Sequence, residues 1–594
     1  MNPRNTWLWL VLAAGLFAFI FFYQKHARRS SPGPSKVLPG LKADAVTHVQ
    51  VRPAAGLAIQ AECTNGVWQL TEPHAYPAQK TSIENLLTAL ERLTPATFIT
   101  ARELRERPNA EEEYGFVSPQ ATIVVQQPDY HALLQIGART APGDQVFVQV
   151  VGVVYVVDAE ILKYLPRSAD DWRDTTLIDF KALAYDRLAV TNGARIIQLL
   201  RAPTNNPWRM VYPLPARADS VRIDNALQAL QSLRVQQFVS DDFKADPETF
   251  GLQPPELELA FGLGTNTVAL LQFGKSPTND PRLVYARRLG QSAVVTVAND
   301  LLAPWRDKVN DFRDPYLVAL PAAPAVIELR GEDSFSLEQQ TNGTWRVLPE
   351  NFPADGGLVK DFLSALNTLR VIQFVDVVIE PDLPGYGLAP PARRYTLRSA
   401  PTNSPASVTN AIMADLSFGT NQAGSAFARR ADESYVYGIA TNGFQRLPSA
   451  SWQVRERAIW NLSTNDVDRA VIRQQGKVRQ LKRNGPHLWA LITPGSINEL
   501  AVEETVRDLC ELTAVAWAAR GKQSRSQYGF TDQGLQITLE LKNGEKRAVE
   551  FGGQAPSGLP YAAVTLDGDL WVFEFPLALA RDVAGCLTIP ADVP

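Results

Sequence analysis

Histidine and cysteine are the scarce residues of this 594-residue chain, with 5 and 3 copies respectively. His26, His48, His74, His131 and His487 are too scattered to give the ligand spacing of a metal centre, and His48 and His131 fall in strand-like runs, where a hydrogen-bonded sheet residue is the ordinary reading. An excess of charge of one sign is also missing. With 58 Lys and Arg against 62 Asp and Glu, a net charge of -4 offers no basic surplus for displacing counterions from nucleic acid. Hydrophobic residues at 45% and charged residues at 20% exclude wholesale disorder and fibrous composition. The length implies about three to five folding units.

Catalytic motifs are lacking as well. Phe273-Gly274-Lys275-Ser276 ends like a phosphate-binding loop, but Ala269 stands where its first glycine belongs. Gly262-Leu263-Gly264 lacks the third glycine of a dinucleotide fingerprint and reads as a hairpin loop. Neither a Gly-x-Ser-x-Gly elbow nor a His-Glu-x-x-His helix occurs. The acidic neighbours Asp170-Asp171, Asp241-Asp242 and Glu111-Glu112-Glu113 read as solvent-facing, because an acid/base pair needs a cleft that separates the groups and shifts their pKa values. The expectation is a protein that is not an enzyme, with no catalytic, cofactor or metal residue.

One long hydrophobic run is present. Trp7 to Tyr23 holds 17 uncharged residues between Arg4 and the basic Lys25, Arg28 and Arg29. As a helix it is about 26 Å long, close to the roughly 30 Å hydrocarbon core, with Trp7, Trp9 and Tyr23 at interfacial positions. Phe21, Phe22 and Tyr23 replace the small residues of a signal-peptide cleavage site, so an uncleaved anchor is expected over residues 1–29. The basic flank, counted alone, places the body in the cytoplasm. Residues 30–40, rich in Ser, Pro and Gly, read as a linker.

The rest of the chain repeats itself four times with a period of about 140 residues, which makes each repeat a domain or near-domain. The expected units are 41–180, 181–320, 321–465 and 466–594. A helical stripe reads Ile83, Leu87, Leu90, Leu93 in the first copy and Ile223, Leu227, Leu230, Leu233 in the second. It reads Val359, Leu363, Leu366, Leu369 in the third and Val502, Val506, Leu509, Leu512 in the fourth, one face of an amphipathic helix each time. Five residues later stand Phe98, Phe238, Phe374 and Trp517. Ahead of each helix, strand-like runs end on Trp68, Trp208, Trp345 and Trp489, with Asn65-Gly66, Asn192-Gly193, Asn342-Gly343 and Asn484-Gly485 as tight-turn dipeptides. After each helix an aromatic residue precedes Gly115, Gly251, Gly387 or Gly529, and an apolar residue precedes Gly137, Gly274, Gly419 or Gly552. Arg173-Asp174, Arg313-Asp314 and Arg455-Glu456 mark the seams. An arginine paired with a carboxylate that fixes adjacent units is the favoured reading of these seams over an anion site. The expected fold class is α+β: four mainly antiparallel sheets, each with one principal amphipathic helix, behind a transmembrane helix.

The ordered set of Trp-closed hairpin, Pro353-Ala354-Asp355 helix start, leucine-striped helix, Tyr386-Gly387-Leu388 with Pro391, Phe418-Gly419 and arginine seam resembles the bacterial domain of unknown function 4340 family, over residues 40 to 590. The resemblance implies an N-terminal membrane helix, a body outside the cytoplasm and a partner among ABC-type transporter subunits of the gliding-motility kind. It therefore reverses the topology that the basic flank suggests. The expected localisation is the bacterial inner membrane, single-pass, with the body periplasmic.

In that oxidising compartment a Cys510–Cys586 bridge would be permitted, against buried free thiols as the alternative, with Cys63 in another repeat. The expected function is a non-catalytic interaction arm, accessory to an ABC-type permease and ATPase, that binds through inter-unit grooves, sheet edges and the aromatics of the Tyr-Gly turns. The alternatives are a cell-envelope polysaccharide or peptidoglycan binder and, third, a hydrolase.

Overall fold

The computed structural model describes residues 15–17, 36–201, 207–242, 244, 247–400, 411–492 and 495–589. The expected anchor, Trp7 to Tyr23, lies outside the described residues except for the helical residues 15–17. Among the described residues no helix is long and apolar enough to cross a membrane. The chain divides into two compact units, Met1–Arg313 and Asp314–Pro594, and each unit holds two antiparallel sheets.

The first sheet has nine strands. From edge to edge they are Tyr76–Pro77, Val67–Glu72, Ile59–Thr64, His48–Pro53, Ala121–Gln127, Tyr130–Arg139, Gln145–Val150, Val153–Asp158 and Thr97–Ile99. The strand before the principal helix, Lys80–Glu91, and the strand after it therefore lie at opposite edges, and the helix crosses one face between them. Ile83, Leu86, Leu87 and Leu90 are buried on that face with Val49, Val51, Ile123, Val125, Leu134 and Val148. Alternate strand residues supply this core because side chains switch face at every step. The second and third sheets repeat the nine-strand order around Ser220–Ser232 and Gly356–Asn367. Among the described residues the fourth has eight strands around Glu499–Cys510, without a counterpart of Tyr76–Pro77. Asp219, Asp355 and Asn498 cap three of these helices, each side chain accepting a first-turn N–H.

The two glycine landmarks of each repeat meet on the opposite face of the sheet. Gly115, Gly251, Gly387 and Gly529 have φ of +78, +65, +68 and +75. A Cβ on Gly137, Gly274, Gly419 or Gly552 would overlap the carbonyl oxygen of Tyr114, Phe250, Gly387 or Tyr528. One turn and one strand thus touch backbone to backbone, with Ala138 N donating to Tyr114 O at 2.7 Å and Lys275 N to Phe250 O at 2.9 Å. Only glycine permits that approach. Gly274 belongs to this joint, so Phe273-Gly274-Lys275-Ser276 is a repeat element and not a phosphate loop.

Three details differ from the sequence reading. The landmark tryptophan sits in the third strand of each repeat, as in Trp208–Tyr212, rather than closing the second. Asn192-Gly193 turns between the first and second strands, whereas Asn65-Gly66 turns between the second and third. In repeat 4 Gly485 ends a strand and His487, φ +58, takes the left-handed position.

Candidate functional site: the arginine seams

Where repeat 1 becomes repeat 2, the chain is paired first to one sheet and then to the next. Gln79 N donates to Trp172 O at 2.7 Å and Asp174 N to Pro77 O at 2.9 Å, beside the helix start of repeat 1. At the next residue Val235 N donates to Thr175 O at 2.8 Å, just past the helix of repeat 2. The seam of repeats 3 and 4 is built the same way. Asp355 N donates to Val454 O and Glu456 N to Pro353 O, both at 2.9 Å, and Ala514 N donates to Arg457 O at 2.8 Å. Phe312 and Arg313 pair with Asp219 and Ala218 in the first unit, and Leu317 N donates to Leu369 O in the second.

The arginine at each of these two seams fills an aromatic slot. Arg173, 2% exposed, has its guanidinium carbon 5.4 Å from the Tyr76 ring and 4.8 Å from that of Phe238, the aromatic five residues past the helical stripe of repeat 2. Its Nη2 lies 2.6 Å from Asp241 of repeat 2 and Nη1 3.2 Å from Asp170. Tyr76 and Phe238 meet edge to face at 5.4 Å, and burial followed by Asp174 pushes the Tyr76 hydroxyl up to about 12. Arg455 is placed likewise, 4.9 Å from Phe352 and 4.3 Å from Trp571, with Asp567 at 2.9 Å. Trp517 of repeat 4 donates its indole N–H to Arg455 O at 3.0 Å. The acid of the seam dipeptide stays local: Asp174 accepts from Thr176 N at 2.9 Å and bends the chain. The seam arginine therefore pairs with a carboxylate of the neighbouring repeat.

Beside each slot lies a polar pair whose acidic and basic members change places between the two seams. His74 Nε2 is 3.5 Å from Asp241, while at the matching positions Glu350 takes hydrogen bonds of 2.7 and 2.8 Å from Arg520. The sequence reading missed both pairs because their members lie far apart along the chain; position relative to Tyr76 or Phe352 and to Phe238 or Trp517 identifies them.

The four tryptophans are buried cross-strand neighbours of Cys63, Arg201, Gln339 and Arg483. In repeats 2 and 4 the arginine covers the indole at 4.6 Å, and a helix carboxylate holds both groups. Trp208 Nε1 donates to Asp224 at 2.9 Å, with Arg201 at 2.6 Å. Trp489 Nε1 donates to Glu503 at 2.7 Å, with Arg483 at 2.8 Å and His487 Nδ1 at 3.1 Å. Burial raises the Glu503 pKa, but the hydrogen bonds from Arg483, Trp489 and His487 outweigh it, and the net shift is down. Asp224 and Glu503 each stand one residue past the first apolar residue of the stripe, a signal the sequence carried and the reading did not use.

The aromatics expected to be accessible in the Tyr-Gly turns are paired instead. Tyr114 packs on Phe147, Phe250 on Tyr285, Tyr386 on Phe427 and Tyr528 on Tyr561, with centroids 4.6 to 5.0 Å apart. Cys510 and Cys586 are free thiols, as is Cys63. Cys586 Sγ faces Thr505 Oγ1 at 3.0 Å, whereas buried Cys510 has Thr464 as its partner and its thiol is pushed up to about 11 by burial. The two sulfurs take part in different hydrogen bonds. Among the described residues no group of three or more His, Cys, Asp or Glu could hold a metal ion.

A model of the domain of unknown function DUF4340 matches residues 68–206, 208–391 and 345–496, well over half of the chain. The chain belongs to the DUF4340 family. Each DUF4340 match starts at a landmark tryptophan and runs across one seam, at Arg173, Arg313 or Arg455. No curated protein and no solved structure matches the chain.

Proposed function

We propose that this DUF4340 chain is a non-catalytic interaction arm, anchored in the bacterial inner membrane through Trp7 to Tyr23. Its body is periplasmic, and its partner is the permease and ATPase complex of an ABC-type transport system of the gliding-motility kind. The observation that carries this reading is an exposed receiving face on repeat 1. Phe238 and Trp517 are packed against the seam arginine of the preceding repeat or its backbone. Phe98, their counterpart, is 54% exposed, and Val151 at the neighbouring hairpin tip is 93% exposed. Ala101 stands where repeat 2 has Asp241 and repeat 4 has Arg520, so this face is apolar where those two seams are charged.

Such a face suits a protein surface that presents an uncharged side chain. It belongs to the repeat that follows the expected anchor directly, because Val37 N donates to Leu93 O, five residues before Phe98. A periplasm-dependent reporter fused after Pro594 is expected to be active, and affinity purification from membranes is expected to recover a permease and an ATPase. A reporter active only in the cytoplasm, or membranes that yield neither subunit, would contradict the reading.

A further inference from the structure

One arginine of repeat 3 stands apart from the other arginines that stack on rings. Arg173, Arg201, Arg455, Arg483 and Arg520 each lie over an aromatic ring, and each has a carboxylate 2.6 to 2.9 Å away. Arg393 lies 4.3 Å from the Phe444 ring, and its Nη1 donates to Phe444 O at 2.9 Å and to Leu447 O at 2.5 Å. Those carbonyls and that ring fix the guanidinium without neutralising it. Among the described residues no ion pair forms at Arg393. Its position is also particular to this repeat, because two residues after the shared proline the first two repeats have Ala121 and Leu257. The half-buried guanidinium lines a cavity of about 520 Å³ between the helix Gly356–Asn367 and residues 445–454. Arg446 and Asp361 line the same cavity, both exposed and, among the described residues, both outside any ion pair.

We infer that this cavity binds a free amino acid with an acidic side chain. Such a molecule carries two carboxylates and one ammonium group at neutral pH, the charge complement of Arg393, Arg446 and Asp361. A guanidinium offers paired N–H groups that match the two oxygens of a carboxylate, and a half-buried one gains most from a counter-charge. Gln453 accepts from Ser449 N at 2.7 Å through its Oε1, which leaves its amide N–H groups for a ligand oxygen. A dicarboxylate without an amine would set negative charge against Asp361 and pair it with nothing. Phe362, Leu447 and Val454 are 2 to 3% exposed, so the walls offer an apolar ligand almost no surface. The volume falls in the range of small-ligand sites, about 300 to 1,000 Å³, and exceeds what a lone inorganic anion fills. The site is independent of the anchor and of any transporter partner.

Equilibrium dialysis of the full chain against labelled L-glutamate and L-aspartate, with glutarate and inorganic phosphate as competitors, tests it. At least one of the two amino acids is expected to be retained. Glutarate, which lacks the ammonium group, and phosphate are each expected to compete about tenfold or more weakly. Arg446→Ala, at an exposed position where folding is kept, is expected to weaken amino-acid binding by about tenfold or more. Asp361→Asn, likewise exposed, is expected to erase the preference over glutarate. Retention of neither amino acid, glutarate or phosphate that competes as well as the amino acid itself, or variants that bind as the wild type does would each overturn the assignment.

Discussion

Glu503 accepts hydrogen bonds from Arg483 and Trp489 within repeat 4, and its depressed pKa makes that repeat sensitive to acid. A carboxylate with a lowered folded-state pKa contributes stability that is complete above its ordinary value of 4.5 and is lost as pH falls through the lowered one. Protection factors of the amides in Glu499–Cys510, which are corrected for the intrinsic slowing of exchange in acid, should therefore fall as the pH drops below the ordinary carboxylate value. Glu503→Gln should remove most of that acid dependence. It should also cost about 3–5 kcal/mol at pH 7, because buried Arg483 loses its counter-charge. An acid limb that is the same in wild type and variant would refute the assignment. The glycine joint gives a second contrast. Gly387→Ala forces φ +68 on an L-residue and drives its Cβ into Thr420 O, for about 2–3 kcal/mol, whereas Gly343→Ala has φ +83 but open space and costs about 1 kcal/mol. Denaturant midpoints for the unit from Asp314 onward should rank in that order.

At the scale of elements, the seams set how firmly one repeat holds the next. Arg455→Ala removes contacts with two rings in a nearly dry slot, worth about 2–3 kcal/mol, and should speed amide exchange in Ala516–Arg520 by roughly 30- to 150-fold. Glu350→Ala breaks a more exposed pair and should cost only about 0.5–1 kcal/mol by the same measure. The helices were legible in the sequence because Ile83, Leu87 and Leu90 recur at helical spacing and point at one sheet. The seam arginines were legible as landmarks, but their slots were not, since Tyr76 and Phe238 are brought together only when the strands before and after successive helices become neighbours. Gly115 and Gly137 likewise stand in the sequence as two separate landmarks, and the joint they form depends on a strand returning beside a loop.

At the scale of the whole molecule, four like repeats follow one another along the chain, and the receiving face of repeat 1 leaves Phe98 54% exposed. On the proposed reading, a subunit of the transport complex covers Phe98. The most direct measurement is photo-crosslinking in intact membranes with a benzophenone amino acid at position 98 and, as control, at position 238. The account predicts an adduct between position 98 and a permease or ATPase subunit of an ABC-type transporter, with none of that size from position 238. No transporter adduct from position 98, or the same adducts from both positions, would contradict it.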